Sequence, residues 1–343
     1  MELSLQEIDK ISKTPMNFVV GKERSGTTLL QLMLNAHPNV IAPPESRFIV
    51  LLYYKYGKTL AWTGEIITRF CNDLFKEDLF RNFWGIDKKE LHAILCSAKD
   101  QLTFALVCKI IFKISSPGKK EVNVFLDKNP IYYYFLAELN TIFPDAKYIH
   151  LVRDYRANLV SHRRVFTFKN AGDIAYRWLK VNMLIEEAKS RVPKNYFTLT
   201  YESLVGNPQQ SMEEVCKFLG LPFDMNMVQN HQSGMYDKFN SNKDSGFQKI
   251  HESVFNPINP ALVNNWEGKI TSAELMKVEA IAGKFGETHY GYLPVNPIKK
   301  TEDATKISPL MDLKYKAMRT LYRKALSNFG LYYSIKSNIW KSL

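Results

Sequence analysis

Residues 16–48 read MNFVVGKERSGTTLLQLMLNAHPNVIAPPESRF. The run from 17 to 20 is apolar and β-branched and predicts a buried strand, which breaks at Gly21 into a loop carrying Lys22, Glu23, Arg24, Ser25 and Gly26. A helix follows. Thr27 and Thr28 take its first-turn positions, Leu29, Leu30, Leu32, Met33 and Leu34 supply its apolar side, and His37-Pro38 ends it. A strand, a glycine loop and a helix N-terminus aim free backbone N–H groups and the positive end of a helix dipole at one spot, which is a cradle for a phosphate-like anion.

The spacing from Gly21 to Gly26 is that of a P-loop, yet a nucleotide kinase or NTPase of that type needs Lys-Ser/Thr next, for the phosphates and for Mg²⁺. Here the next residue is Thr27, and the cations stand inside the loop as Arg24 and Lys22, which suits a compact anion held without a metal. On these residues the sequence resembles the sulfotransferases that use 3′-phosphoadenosine 5′-phosphosulfate (PAPS), whose 5′-phosphosulfate loop has the form Arg-Ser-Gly-Thr-Thr. The resemblance continues through Pro44-Glu45-Ser46-Arg47.

The 343 residues suffice for a large α/β domain, and 45% hydrophobic content is ordinary for a globular chain. A net charge of +12 favours anionic partners but does not choose among nucleotides, nucleic acid and anionic membrane. The four cysteines, Cys71, Cys96, Cys108 and Cys216, form no Cys-x-x-Cys, so neither a zinc site nor a disulfide framework is expected. The first fifteen residues lack the basic and apolar regions of a signal peptide, and no run reaches the roughly 18 apolar residues of a membrane span. A cytoplasmic protein is the resulting expectation.

Alternation of strands and helices predicts a P-loop-like three-layer domain, a central parallel sheet of four or five strands flanked by helices. Residues 48–116 show helical spacing with many aromatics, Tyr53, Tyr54, Trp62, Phe83 and Trp84 among them, and predict helices that cover the sheet, either as core or as one wall of an acceptor pocket. Further strands are expected at 122–126, leading to Asp127-Lys128-Asn129-Pro130, at 147–152, leading to Arg153-Asp154, and at 196–200, leading to Tyr201-Glu202. Polar residues at the C-terminal ends of such strands are where open α/β sheets bind ligands. Helices are expected over 131–143, 171–191, 208–219 and from 272 to about 285, with a long loop at 231–260 as a functional cover. Pro294 and Pro297 suggest a boundary, dividing a catalytic domain, 1–297, from a C-terminal tail, 298–343. The tail interleaves Lys314, Lys316, Arg319, Arg323 and Lys324 with Leu313, Met318, Leu321 and Tyr322, a basic amphipathic pattern that suits either an anionic membrane surface or packing on the domain. No nucleic-acid motif accompanies the charge.

A donor with a 3′-phosphate needs a second anion site, and Arg153 at a strand end with Ser161 on the following helix can supply it. That Arg…Ser spacing matches the 3′-phosphate signature of the PAPS sulfotransferases. The motifs resemble in particular those of tyrosylprotein sulfotransferases: Arg24 to Thr28, His37-Pro38, Glu45-Ser46-Arg47, and later Pro257-Ile258-Asn259 and Trp266-Glu267-Gly268-Lys269-Ile270. The resemblance implies that Glu45 is the general base and that Lys128 and Arg24 neutralise charge at the bond that breaks. It also implies PAPS binding, with PAP as product, by Lys22, Arg24, Ser25, Gly26, Thr27, Thr28, Arg153, Ser161 and Tyr201, with no metal. His37 and His150 are competing bases. A donor-loop lysine of the family corresponds to Asn256.

The function expected is transfer of the PAPS sulfuryl group to a hydroxyl. The cytoplasmic signals, the aromatic block and the tail point to a lipid, sterol or other hydrophobic alcohol; the family resemblance points instead to a tyrosine in an acidic peptide, and a glycan is a further alternative. The rivals from other classes are a P-loop nucleotide kinase and a non-catalytic nucleotide-binding module.

Overall fold

The computed structural model describes residues 3–230, 258–296, 309–328 and 330–332. Helix α1 (Leu5–Lys13), opened by a reciprocal Ser4/Glu7 capping box, precedes β1 (Met16–Val20). Then come α2 (Thr27–Ala36), β2 (Val40–Ile41), and a block of helices α3 (Phe48–Tyr56), α4 (Gly64–Leu74), α5 (Asp78–Phe83), α6 (Lys88–Ser97) and α7 (Phe104–Ile114). After β3 (Val124–Lys128), a single turn at Tyr132–Tyr134 and α8 (Leu136–Ile142) replace the one helix expected over 131–143. β4 (Tyr148–Val152), α9 (Tyr155–Val165), α10 (Ala171–Arg191) and β5 (Tyr196–Thr200) follow.

The sheet is entirely parallel, in the order β2-β3-β1-β4-β5. Five strands confirm the expected architecture. β1, β3 and β4 are buried along their whole length, as parallel strands covered on both faces must be. Side-chain alternation divides the core: Phe18, Val20, Tyr148 and Val152 face the larger cluster, whereas Val19, Ile149 and Leu151 face the layer built by α2, α11 (Tyr201–Gly206), α12 (Pro208–Leu219) and α13 (Asn226–Gln229). The chain leaves β1 toward one side of the sheet and crosses back over it to β4. The crevice at the C-terminal ends of β1 and β4 is therefore the topological switch point where ligands bind.

Helix α14 (Ser272–Val278), capped by Thr271 and Glu274, runs through a π-turn at Glu279–Gly283 into α15 (Lys284–Tyr290), extending the expected helix to a glycine stop at Gly291. The expected loop at 231–260 lies largely outside the described residues, as do Asn256, Pro257 and Pro297. Among the described residues no helix is long and apolar enough to cross a membrane.

Two features that pointed toward a hydrophobic acceptor are used in packing. The aromatic block forms a continuous interior: Phe48 meets Trp84 edge-on at 5.4 Å, and Trp84 meets Phe112 at 5.0 Å. The tail helix α16 (Pro309–Ser327) buries Tyr315, Tyr322, Ala325 and Leu326 in the same core, and Arg323 reaches Glu138 and the Tyr134 carbonyl. Tyr332 accepts a hydrogen bond from Arg47 at 3.1 Å. The described part of the tail is thus continuous with the domain, and Leu310, Leu313, Leu321 and Leu331 are the large apolar side chains it leaves exposed among the described residues.

Candidate active site

The anion loop is fastened from several sides. Asn158 on α9 donates to the Glu23 carbonyl at 2.8 Å and to the Ser25 hydroxyl at 3.3 Å, and Arg153 donates to the Arg24 carbonyl at 3.5 Å. These contacts hold Arg24 in left-handed backbone, φ 68°, a conformation costing a non-glycine residue roughly 1–3 kcal/mol. Two glycines are sterically required. A Cβ on Gly21 would stand 2.3 Å from the Leu151 carbonyl oxygen, and one on Gly26, φ 94°, would stand 2.5 Å from the Tyr201 ring. Gly26 is the N-cap of α2 and has no capping side chain, so the first N–H groups of that helix face the cleft.

That cleft has a volume of about 440 Å³ and opens where the switch point predicts. Arg24, Gly26, Thr27, Thr28, Arg153, Ser161 and Tyr201 line it, bringing together seven of the nine residues expected to hold the donor. Arg24 Nε donates to Ser161 Oγ at 3.3 Å, joining the loop to the pair expected to form a second anion site, and the Arg153 guanidinium lies over the Tyr201 ring at 4.2 Å. Arg163, Arg164 and Lys269 add further cations, and no carboxylate lines it among the described residues. Burial, with Arg164 and Arg153 close by, pushes the Arg24 guanidinium down to about 10. Cations crowded together in one cleft fit a polyanion carrying phosphates.

Lys22 and Ser25 depart from the expectation. Lys22 is fully buried and ion-paired with Glu23, which Arg177 also holds at 3.1 Å; Ser25 turns inward to Asn158. Burial lowers Lys22 to about 8. The reason lies in tertiary packing: Arg177 on α10 fixes Glu23 in the interior, and the neighbouring lysine follows its carboxylate inward.

Glu45 and Lys128 are not among the residues lining the cleft; they meet beside it. Lys128 at the end of β3 is ion-paired with Glu45 and donates to the hydroxyl of Thr28, a cleft residue, at 3.0 Å. Beside it Asp127 accepts from Tyr132, and burial pushes its carboxyl up to about 7. The competing histidines are elsewhere. His37 accepts from Asn39 N–H at 3.1 Å and is bound to the Pro222 carbonyl at 2.9 Å; His150 bonds Asn182 at 2.9 Å within the core.

With this geometry in place, the comparisons with known proteins converge. Residues 15–225 match the model of the sulfotransferase family. This chain belongs to the sulfotransferase family. The sulfotransferase is 25% identical to protein-tyrosine sulfotransferase A of Caenorhabditis elegans, over 88% of its own chain and 77% of that protein. It is 26% identical to protein-tyrosine sulfotransferase 1 of Homo sapiens, over 80% of its own chain and 70% of that protein. Among solved structures it is similar to the sulfotransferase domain from the Synechococcus PCC 7002 olefin synthase, with a TM-score of 0.55 and 25% identity over 80% of this chain and 94% of that one.

Several residues of this sulfotransferase's cleft were not singled out from the sequence. Arg163 and Arg164 follow Ser161 on α9 and carried a legible signal, two cations within one helical turn of a proposed phosphate ligand; Arg163 is also tied to Glu274 at 2.6 Å. Lys269 stood in the quoted Trp-x-Gly-Lys-Ile motif without a role. Asn158 gave no sequence signal, since its task depends on backbone atoms of a distant loop.

Proposed function

We propose that this sulfotransferase moves the sulfuryl group of PAPS to the phenolic hydroxyl of a peptidyl tyrosine. The observation that carries the donor is the cleft itself: two linked anion sites, Arg24 with the α2 N-terminus and Arg153 with Ser161, in a lining that among the described residues holds no carboxylate. A 5′-phosphosulfate suits the first and a 3′-phosphate the second, with the Tyr201 ring beside them. PAPS would supply an activated sulfuryl group on a bridging oxygen. Glu45 takes the proton of the acceptor hydroxyl as the new O–S bond forms and the bridging S–O bond breaks. Lys128 and Arg24 offset the negative charge left on the adenylate oxygen, and PAP departs.

The acceptor reading rests on the tyrosine-sulfating relatives, and it is supported by the fate of most rings of the aromatic block and of Tyr315 and Tyr322 of the tail, which lie in the core rather than around an acceptor. The test is an acceptor panel with labelled PAPS: an acidic tyrosine peptide, its phenylalanine counterpart, a sterol and a sugar. Label on the tyrosine peptide alone supports the reading. Label on the sterol alone returns the acceptor to the hydrophobic alcohols, and stabilisation by ATP with Mg²⁺ but not by PAPS would remove the reading altogether.

A further inference from the structure

A second cavity, about 240 Å³, lies between α10 and α16, away from the basic cleft. Phe168, Tyr176, Met311, Tyr315 and Met318 make it largely apolar, and Arg177 stands in its wall. Asp173 and Lys314 also border it, 3.9 Å from each other, with Lys314 61% exposed and so on the rim.

Behind this wall the buried charge does not balance. Lys22 and Arg177 are both buried and share a single carboxylate, Glu23, whose ionised form the two cations hold well below the usual carboxylate range. His162 adds no positive charge, since burial pushes it down to about 3. Excess buried charge of one sign is costly unless a counter-charge joins it. Arg177 makes one hydrogen bond among the described residues, NH2 to Glu23 at 3.1 Å, so the rest of its planar fork is unspent. The Tyr315 hydroxyl is a second, weakly engaged donor: the residue is 5% exposed, its ring lies 6.3 Å from that of Tyr134, and its contact with the Tyr134 hydroxyl falls short of normal hydrogen-bond geometry. Buried hydroxyls are normally satisfied.

We propose that this cavity binds a small amphipathic anion, a carboxylate on an alkyl or phenyl body. The carboxylate is received by the open side of the Arg177 fork and by the Tyr315 hydroxyl, and the apolar body lies among Met311, Met318 and Phe168. Methionine walls suit a ligand of this kind because they repack around different apolar shapes. A nucleotide does not suit the cavity, which is smaller than the basic cleft and offers one guanidinium in place of several cations.

The experiment is isothermal titration of the full chain, saturated with PAP so that the basic cleft is filled, with octanoate, 4-phenylbutyrate and 1-octanol as probes. Both carboxylates are expected to bind saturably at one site, and octanol about ten-fold or more weaker, because charge-assisted hydrogen bonds to the guanidinium are lost. Met318→Trp, which fills the cavity, is expected to abolish carboxylate binding at an unchanged melting temperature. Tyr315→Phe removes one oxygen and is expected to weaken it about three-fold or more; it carries the test if the tryptophan variant folds poorly. No saturable heat at millimolar probe, equal binding of octanoate and octanol, or carboxylate binding that survives both substitutions would overturn the proposal.

Discussion

Lys128 bridges Glu45 and Thr28: its ammonium, 1% exposed, is ion-paired with the Glu45 carboxylate and donates to the Thr28 hydroxyl at 3.0 Å. The proposed base and the proposed leaving-group cation therefore hold each other, and Thr28 connects both to the anion cleft.

Glu45→Gln keeps the size of the side chain and a hydrogen bond to Lys128 but cannot take a proton. Turnover is expected to fall by roughly 10²-fold or more, with PAP affinity nearly unchanged. Lys128→Ala should instead lower turnover and loosen the donor, since it removes charge stabilisation and frees Glu45. Steady-state kinetics with the tyrosine peptide, beside PAP titrations, separate the two; near-normal turnover in Glu45→Gln would send the search for a base elsewhere.

Arg153 lies over Tyr201 and beside Ser161 in the cleft, at the position argued for the 3′-phosphate. Arg153→Ala is expected to weaken PAP about ten-fold more than 5′-AMP, the difference being a charge-assisted phosphate contact that AMP lacks. Equal losses for the two ligands would mean that the 3′-phosphate sits elsewhere.

Gly26 combines a left-handed backbone with contact against Tyr201. Gly26→Ala is expected to destabilise the fold by about 2–4 kcal/mol, from the conformational cost together with the clash, and to abolish PAP binding. Adding Tyr201→Ala should recover part of the stability and none of the binding, as read by thermal melting with and without PAP.

His162 and Asp127 tie stability to pH with opposite signs. Burial lowers His162 to about 3, so between pH 6.5 and 3 the unfolded chain binds the extra proton and acid unfolds the protein; His162→Phe should flatten that limb by up to about 1.4 kcal/mol per pH unit. Burial raises Asp127 to about 7, so its folded form keeps a proton that the unfolded chain releases, and stability falls as pH rises from 4 toward 7. Asp127→Asn should raise the melting temperature at pH 8 and lose that advantage by pH 4. Parallel melting curves at those pH values would refute both assignments.

The sequence by itself determined the elements whose cause is local. β5 and the helices α10 and α12 fall at the residues expected, because strand-forming residues, the Asn170 and Pro208 starts and the Gly220 stop are read within a few positions. The same holds for the anion loop, where Gly21, Gly26 and the start of α2 are consecutive in the chain, and for Arg153 with Ser161, which one strand-to-helix turn brings together. Val40–Ile41 was not legible as a strand, since two edge residues carry no period and only pairing with β3 makes them one.

Tertiary structure decided what depends on partners remote in sequence. Lys22 and Arg24 are near neighbours in one loop, yet Arg177 from α10 draws Glu23 and Lys22 into the interior while Asn158 and Arg153 hold Arg24 toward the cleft. The aromatic rings of the 48–116 block and the tyrosines of the tail could have lined an acceptor or closed a core, because apolar surface is non-directional and settles wherever complementary surface meets it. The pairing of Glu45 with Lys128 was decided in the same way: the loop after β2 and the end of β3 become neighbours only when β2 pairs with β3, and that register sets the base beside the cation.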